Sequence, residues 1–404
     1  MPHHIDSIIL VTVSRWDQDY SSASISLAKE LSKETKVFFV DNPFTVKDVL
    51  AGWRTPQIRR RVKALLFGKA IYRTIEPGNE NWIAVTPLVV VPINWLPRGS
   101  VFNFFSKLNN SIFNRTLKRI VKENDLKKYI YFNSYNPFYG YKLPAEIKPV
   151  VNIYQSRDNI KESEYVNKHG PGLEMLASKA ADIRLATSTD LVNQLSASIA
   201  PFKFFPNAAD VDLFGKAFEE GVTAHTSLLN IKTPVIGYMG NICLRIDYDL
   251  LYKVATHFNT CTILLVGPRN DTGQHNFNFE MLKNVVFVGA KKIHELPSYL
   301  VAMTCAILPF KKNALTRSIY PLKINEYLAA GKPVVTTSFS PDIASFRDLV
   351  YMAVTDEDFV KNIELALAET NPGLRKKRHE EATKNSWKIR VSQFWQEVES
   401  FKSA

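Results

Sequence analysis

Only three cysteines occur in 404 residues, Cys243, Cys261 and Cys305, and no two stand at CxxC spacing. So odd and sparse a set, sitting in apolar stretches, excludes a disulfide framework and reads as buried thiols in a reducing compartment. The eight histidines show no ligand spacing, so a structural metal is not expected. No run approaches eighteen consecutive apolar residues. The longest candidate, residues 83–93, is interrupted by prolines, which excludes a spanning helix there. The opening MPHHIDSIILVTVS has no basic leader and runs straight into a strand pattern, so the expectation is a cytoplasmic chain without a secretory signal.

Acidic residues are scarce in one stretch. Between Pro43 and Lys128 five Asp/Glu face sixteen Lys/Arg, a net of +11, where the whole chain carries +12. Positive charge of that size attracts phosphates, on nucleic acid, on anionic lipid or on a substrate. No helix-turn-helix, zinc or RNP-type signature accompanies it, so nucleic acid is not the expected partner. Large apolar residues are interleaved with the charge: Trp53, Phe67, Trp95, Phe102, Phe104 and Phe105. Residues 102–121 read as a basic amphipathic helix. Phe105, Leu108, Ile112 and Leu117 fall near one face, and Lys107, Arg115, Lys118 and Arg119 mark another. Such a helix either packs on a core with a solvated basic face or lies on an anionic membrane surface.

What the chain does have is regular alternation. An apolar fraction of 46% with 22% charged residues is globular, and the length favours two domains. Strand-like runs recur at 8–13, 37–40, 83–91, 129–132, 150–154 and 183–186, with helical patterns at 21–31, 173–181 and 190–197. A second series follows, with strands at 235–239, 262–266, 285–288, 306–308, 334–337 and 352–354. Helices fit 249–258, 295–302, 322–330 and 357–369. Apolar runs without strict alternation suit parallel strands covered on both faces. The reading is α/β, two doubly wound Rossmann-like domains facing a cleft lined by βα loops. The domains span 1–206 and 207–385. Residues 216–233 resemble a linker, and a final helix over 386–404 is free to pack back on the first domain.

Chemistry concentrates in residues 313–337, NALTRSIYPLKINEYLAAGKPVVTT. Pro321 suits the first turn of a helix, where a missing N–H costs nothing, and Gly331 suits its end. Lys323 and Glu326, at i and i+3, share one face near the helix start. A helix N-terminus presents N–H donors and partial positive charge to a phosphate. Lys323 and Arg317 add full charges, and the Glu326 carboxylate can accept hydrogen bonds from a ribose diol. Alone, the pattern equally describes a surface helix with a Lys–Glu pair.

This segment resembles the donor-binding motif of GT-B glycosyltransferases, in the 4/1-like branch that reads PLK followed by EYLAAGKPVV and includes teichuronic-acid-type and related envelope polysaccharide transferases. Residues 235–247 (VIGYMGNICLRID) resemble the family's opening strand and glycine loop. Residues 264–268 (LLVGP) and 284–290 (NVVFVGA) resemble its middle strands, and 205–214 (FPNAADVDLF) its interdomain segment. The resemblance implies a nucleotide-diphosphate sugar donor held by Gly240, Asn241, Arg245, Thr316, Arg317, Ser318, Leu322, Lys323 and Glu326. Glu326 matches the family's ribose-holding glutamate. Ser318 stands where many members have a glutamate touching the transferred sugar. Lys323 would also serve catalysis by neutralising the diphosphate leaving group. No metal-binding DxD motif is evident, and the family's usual metal independence implies no cofactor.

The first domain would then hold the acceptor, a saccharide or lipid-linked saccharide. Asp158 and Asp17, each after a strand, are the candidates for a base that takes the acceptor's proton, and each also suits a turn or cap. The function implied is sugar transfer in envelope polysaccharide synthesis, in the cytoplasm or peripherally on the membrane's inner face through residues 43–128. Two alternatives stay open: a sugar-nucleotide epimerase of the same fold, and a basic nucleic-acid-binding protein.

Overall fold

The computed structural model describes residues 5–18, 22–164, 166–219, 221–271 and 275–403. The chain divides into two compact units, one running to Pro206 and resuming at Arg390, the other Asn207–Ile389. Residues 216–233, read above as a linker, therefore belong to the second unit, where Ala217 and Leu228 are buried in its core.

The first unit is built on an eight-stranded sheet. Its strands are β1 (Ser7–Thr12), β2 (Lys36–Val40), β3 (Tyr72–Glu76), β4 (Asn79–Val85), β5 (Tyr129–Ser134), β6 (Val151–Ser156), β7 (Ile183–Ala186) and β8 (Lys203–Phe204). The order is β3-β4-β2-β1-β5-β6-β7-β8, parallel throughout except for β3, which pairs antiparallel with β4. Every residue of β1 and β5 is buried, as strands covered on both faces require. The apolar run expected to continue to residue 91 leaves the sheet after Val85. Pro87, lacking an N–H, cannot extend the ladder. The edge strand β3 was invisible as a run because YRTIE is polar and only partly buried.

The helix expected over 21–31 runs Ala23–Leu31, with the Ser22 side chain accepting from Ile25 N; residue 21 lies outside the described set. The last helix, Trp387–Ser403, joins the first unit from Arg390 onward. There Phe394 stacks on Phe132 at 5.4 Å and Trp395 donates its indole N–H to Glu34 at 2.8 Å.

The second unit has a six-stranded, wholly parallel sheet. Its strands are β9 (Val235–Met239), β10 (Thr262–Val266), β11 (Val285–Gly289), β12 (Cys305–Leu308), β13 (Val334–Thr337) and β14 (Tyr351–Ala353). The order β11-β10-β9-β12-β13-β14 places a switch point between β9 and β12, where open parallel sheets bind ligands beyond their carboxyl ends. Among the described residues no helix is long and apolar enough to cross a membrane.

Candidate functional site

In the second unit the loops after β9, β10 and β11 are tied together at their carboxyl ends. Gly240 N donates to Val266 O at 2.8 Å, Gly267 N to Gly289 O at 3.0 Å, and Ile242 N to Pro268 O at 2.9 Å. Two of these glycines are required. Gly240 has φ +152° and Gly267 has φ +146°, and a Cβ on Gly267 would lie 1.9 Å from the Gly240 carbonyl oxygen. A Cβ on Gly240 would lie 2.3 Å from Lys323 Cε and 2.6 Å from its Nζ. The Lys323 side chain therefore lies across the bare backbone of Gly240, whose positive φ favours glycine.

The helix supplying Lys323 is Leu322–Ala329, with Pro321 at its cap position and Gly331, at φ +68°, just past its end. Tyr327 anchors it. Its hydroxyl accepts from Met239 N at 2.8 Å and donates to Met239 O at 3.3 Å, fixing the helix to the end of β9. One residue before Tyr327, and one turn after Lys323, Glu326 Oε2 lies 3.8 Å from Lys323 Nζ, its side chain 16% exposed. Burial pushes the Glu326 carboxyl above its ordinary value; Lys323 opposes the rise and the charge of Asp210 adds to it. A carboxylate so desolvated is where hydrogen-bond donors from a ligand stabilise most.

The other expected residues fall into two groups. Asn241 is drawn in: its carbonyl accepts from Tyr238 OH at 3.0 Å and its Oδ1 from Asn270 Nδ2 at 2.8 Å. Arg245 is half-buried; its charge acts on the Tyr238 hydroxyl, and its carbonyl accepts from Lys311 N at 2.8 Å. Arg317 ends the four-residue helix Ala314–Arg317 with an exposed side chain. Thr316 and Ser318 turn inward instead. Thr316 is fully buried in a capping box with Asn313, and the buried Ser318 donates to Ala314 O at 3.3 Å. Their hydroxyls satisfy the turn, so it is the backbone they shape, rather than their side chains, that faces outward chemistry. Leu322 is partly buried against the core at the helix start.

In the first unit, Asp17 sits in a cluster that the sequence did not reveal. Arg61 Nη1 and Nη2 donate to its two carboxylate oxygens at 2.7 and 2.6 Å, and Arg60 adds a contact at 3.2 Å. Arg61 also reaches the fully buried Asp41 at 3.0 Å. Burial pushes Asp41 up to about 6 against the pull of Arg61. Both Asp17 oxygens are thus held by a guanidinium 3% exposed, an arrangement that orders the 13–18 loop and ill suits a proton acceptor. Arg61, one of the sixteen Lys/Arg of the basic stretch, is interior.

Asp158 lies two residues beyond β6, half-buried, and acts electrostatically on the half-buried Arg157, whose guanidinium bonds Ser24 Oγ. A neighbouring acid escaped the sequence reading. Glu174, inside the helix Gly170–Ala180, accepts from Ser156 Oγ at 2.7 Å and Tyr154 OH at 3.1 Å. Burial pushes it up to about 7, with those two hydrogen bonds opposing. Its signal was a lone carboxylate on the inward face of an apolar helical pattern.

With this geometry in place, comparison with known proteins gives a consistent outcome. Residues 233–369, all within the second unit, match the family Glycosyl transferases group 1. TuaH of Bacillus subtilis (strain 168), named as a teichuronic acid biosynthesis glycosyltransferase, is 31% identical over 140 residues, 33% of this chain and 35% of that one. The match thus spans about a third of this curated relative's length. Sucrose-phosphate synthase from Thermosynechococcus elongatus superposes with a TM-score of 0.70 at 15% identity, covering 98% of this chain and 99% of that one. Anabaena HepE, solved in complex with UDP, gives 0.64 at 11% identity, covering 98% and 100%. The fold is GT-B, and the second unit carries a glycosyl transferases group 1 domain.

Proposed function

We propose that the protein is a glycosyltransferase that moves a sugar from a nucleotide-diphosphate sugar to a saccharide or lipid-linked saccharide in envelope polysaccharide synthesis. One observation carries the reading: Lys323 lies across the bare backbone of Gly240 while Glu326, one turn along the same helix, offers a desolvated carboxylate. In this reading the diphosphate rests on Gly240 and Asn241, neutralised by Lys323 and Arg317 with help from Arg245. Glu326 accepts from the ribose hydroxyls. The acceptor oxygen forms a bond to the anomeric carbon as the bond from that carbon to the diphosphate oxygen breaks. The electron pair stays on the phosphate, where fixed positive charge does most to lower the barrier. The acceptor proton passes to Asp158 or to the departing phosphate. No metal ion takes part in the proposed reaction.

The membrane reading belongs here too. Leu50, Trp53, Phe67, Trp95, Val101 and Phe104 of the basic stretch are each more than half exposed, which supports docking on an anionic bilayer. Phe102 is not part of that surface: it is 5% exposed and stacks on His169 at 3.5 Å.

The test is release of nucleoside diphosphate from a panel of nucleotide sugars, with and without saccharide acceptors. The expected result is acceptor-dependent release of diphosphate and a lengthened saccharide. Conversion of one nucleotide sugar into its epimer, with none released, would assign the fold-mate activity instead.

A further inference from the structure

The Ser100–Glu123 helix does not bury the face its apolar residues suggested. Ser106, Asn109, Asn110, Asn114 and Thr116 are inward, alongside Phe113, Leu117 and Ile120. The amides are inward because they bond distant backbone. Asn110 Oδ1 accepts from Gly140 N at 2.8 Å, and Asn110 and Asn114 both donate to Lys142 O, at 3.1 and 3.0 Å. Gly140 is pinned in turn: at φ +70° it accepts from Tyr131 OH at 2.9 Å, and a Cβ there would lie 2.0 Å from that hydroxyl. The segment 140–144 is thereby held alongside the helix as a fixed wall.

Between them is a groove of about 630 Å³, within the range of roughly 300–1,000 Å³ usual for ligand sites. Four cations line it, Lys107, Arg115, Lys118 and Lys142. Lys107, Ser111, Arg115 and Lys118 follow at i, i+4, i+8 and i+11, one stripe of helix about 16 Å long at 1.5 Å per residue. A carboxylate near the rim, Glu146, is engaged with Lys118 at 2.8 Å. Leu143, Pro144, Leu173 and Leu176 give an apolar wall. Asn114 is 9% exposed, and its Oδ1 has no hydrogen-bond partner among the described residues. Spaced cations, amides, hydroxyls and an apolar wall together suit one chemical class. A saccharide has hydroxyls for the amides and C–H faces for the wall, and the cations call for acid groups spaced along it.

We infer that this groove binds an extended saccharide bearing carboxylate or phosphate groups. Resting on the glycosyltransferase reading, it is the seat of the acceptor chain behind the reacting sugar. Asp158 does not line it, so an acceptor that occupies the groove and also presents its hydroxyl to Asp158 must extend beyond the groove.

The test uses the full-length protein and calorimetric titration with a galacturonate oligosaccharide, a neutral maltooligosaccharide of equal length, and UDP. Two variants are compared with the parent: Lys107→Gln with Arg115→Gln and Lys142→Gln, which removes charge, and Ser111→Trp, which fills the groove from an exposed position and leaves the charge intact. The galacturonate chain should bind the parent about tenfold or more tightly than the neutral one, and both variants should lose about tenfold or more of that affinity. UDP affinity, where the parent binds UDP, should be unchanged in both variants, and a parent that binds no nucleoside diphosphate would sink the donor reading separately. Equal galacturonate binding by parent and variants would overturn the proposal. So would absence of galacturonate binding by the parent; if the charge variant then also lost binding to phosphatidylglycerol vesicles, its three cations would belong to lipid.

Discussion

At the scale of single residues, burial holds three carboxyl groups among the described residues above their ordinary range: Glu326, Asp41 and Glu174. Glu174 gives a clean test, because its partners Ser156 and Tyr154 are neutral hydroxyls that a glutamine oxygen can also accept from. Its value rises from 4.5 to about 7 on folding, so the folded state favours the protonated form. The stability it contributes is full below the ordinary carboxylate value and is lost as pH rises through about 7. At 1.36 kcal/mol per unit, the loss is at most about 3 kcal/mol. Melting curves from pH 5 to 8 should show the parent losing stability and Glu174→Gln losing less, with Asp41 supplying a remaining slope. Identical slopes in the two proteins would refute this account of Glu174.

Residue-scale features also mark the limit of what was legible. Lys323 and Glu326 could be placed because helix start, charge spacing and terminal glycine are all local signals. The pairing of Asp17 with Arg61 spans 44 positions, and no local pattern announces it. A carboxylate after a strand therefore stood as a candidate for proton transfer at Asp17 as well as at Asp158, until its partner was seen.

Among the elements, the Leu322–Ala329 helix was readable almost in full and the Ser100–Glu123 helix was not. The first buries Ile324, Tyr327 and Leu328, so apolarity marks its inner face. The second turns asparagines inward, since its neighbours at 91 and 140–142 present backbone groups that need partners. Apolar periodicity then points to the wrong face, and Leu108 is left 40% exposed.

The same inversion bears on membrane docking, because it leaves Val101 and Phe104 in solvent beside the basic residues. Arg54, Arg59, Lys63 and Lys69 are exposed in the preceding segment. Each can contribute about 1 kcal/mol near an anionic surface, decaying over about 8 Å at physiological salt. Flotation should show binding to anionic vesicles at low salt, release at high salt and weaker binding when these four become Gln, with nucleotide affinity retained. Arg61 is left intact in that variant, since removing it would strand Asp17 and Asp41. Equal binding to neutral and anionic vesicles, or none, would return the stretch to a solvated surface.

For the whole molecule, two doubly wound units follow from alternating apolar runs that leave parallel strands no solvated face. The return of residues 390–403 to the first unit rests on Phe394 and Trp395, whose pattern was amphipathic without naming a partner. The account depends most on the second unit being the nucleotide-binding half, and calorimetric titration of nucleoside diphosphates into the parent and Glu326→Ala tests that directly. The parent should bind at least one of them. The variant, folded by circular dichroism, should bind it about ten- to a hundredfold more weakly, the loss of a charge-assisted bond of roughly 1.5–3 kcal/mol. Unchanged affinity in a folded Glu326→Ala protein, or no binding of any nucleoside diphosphate by the parent, would contradict it.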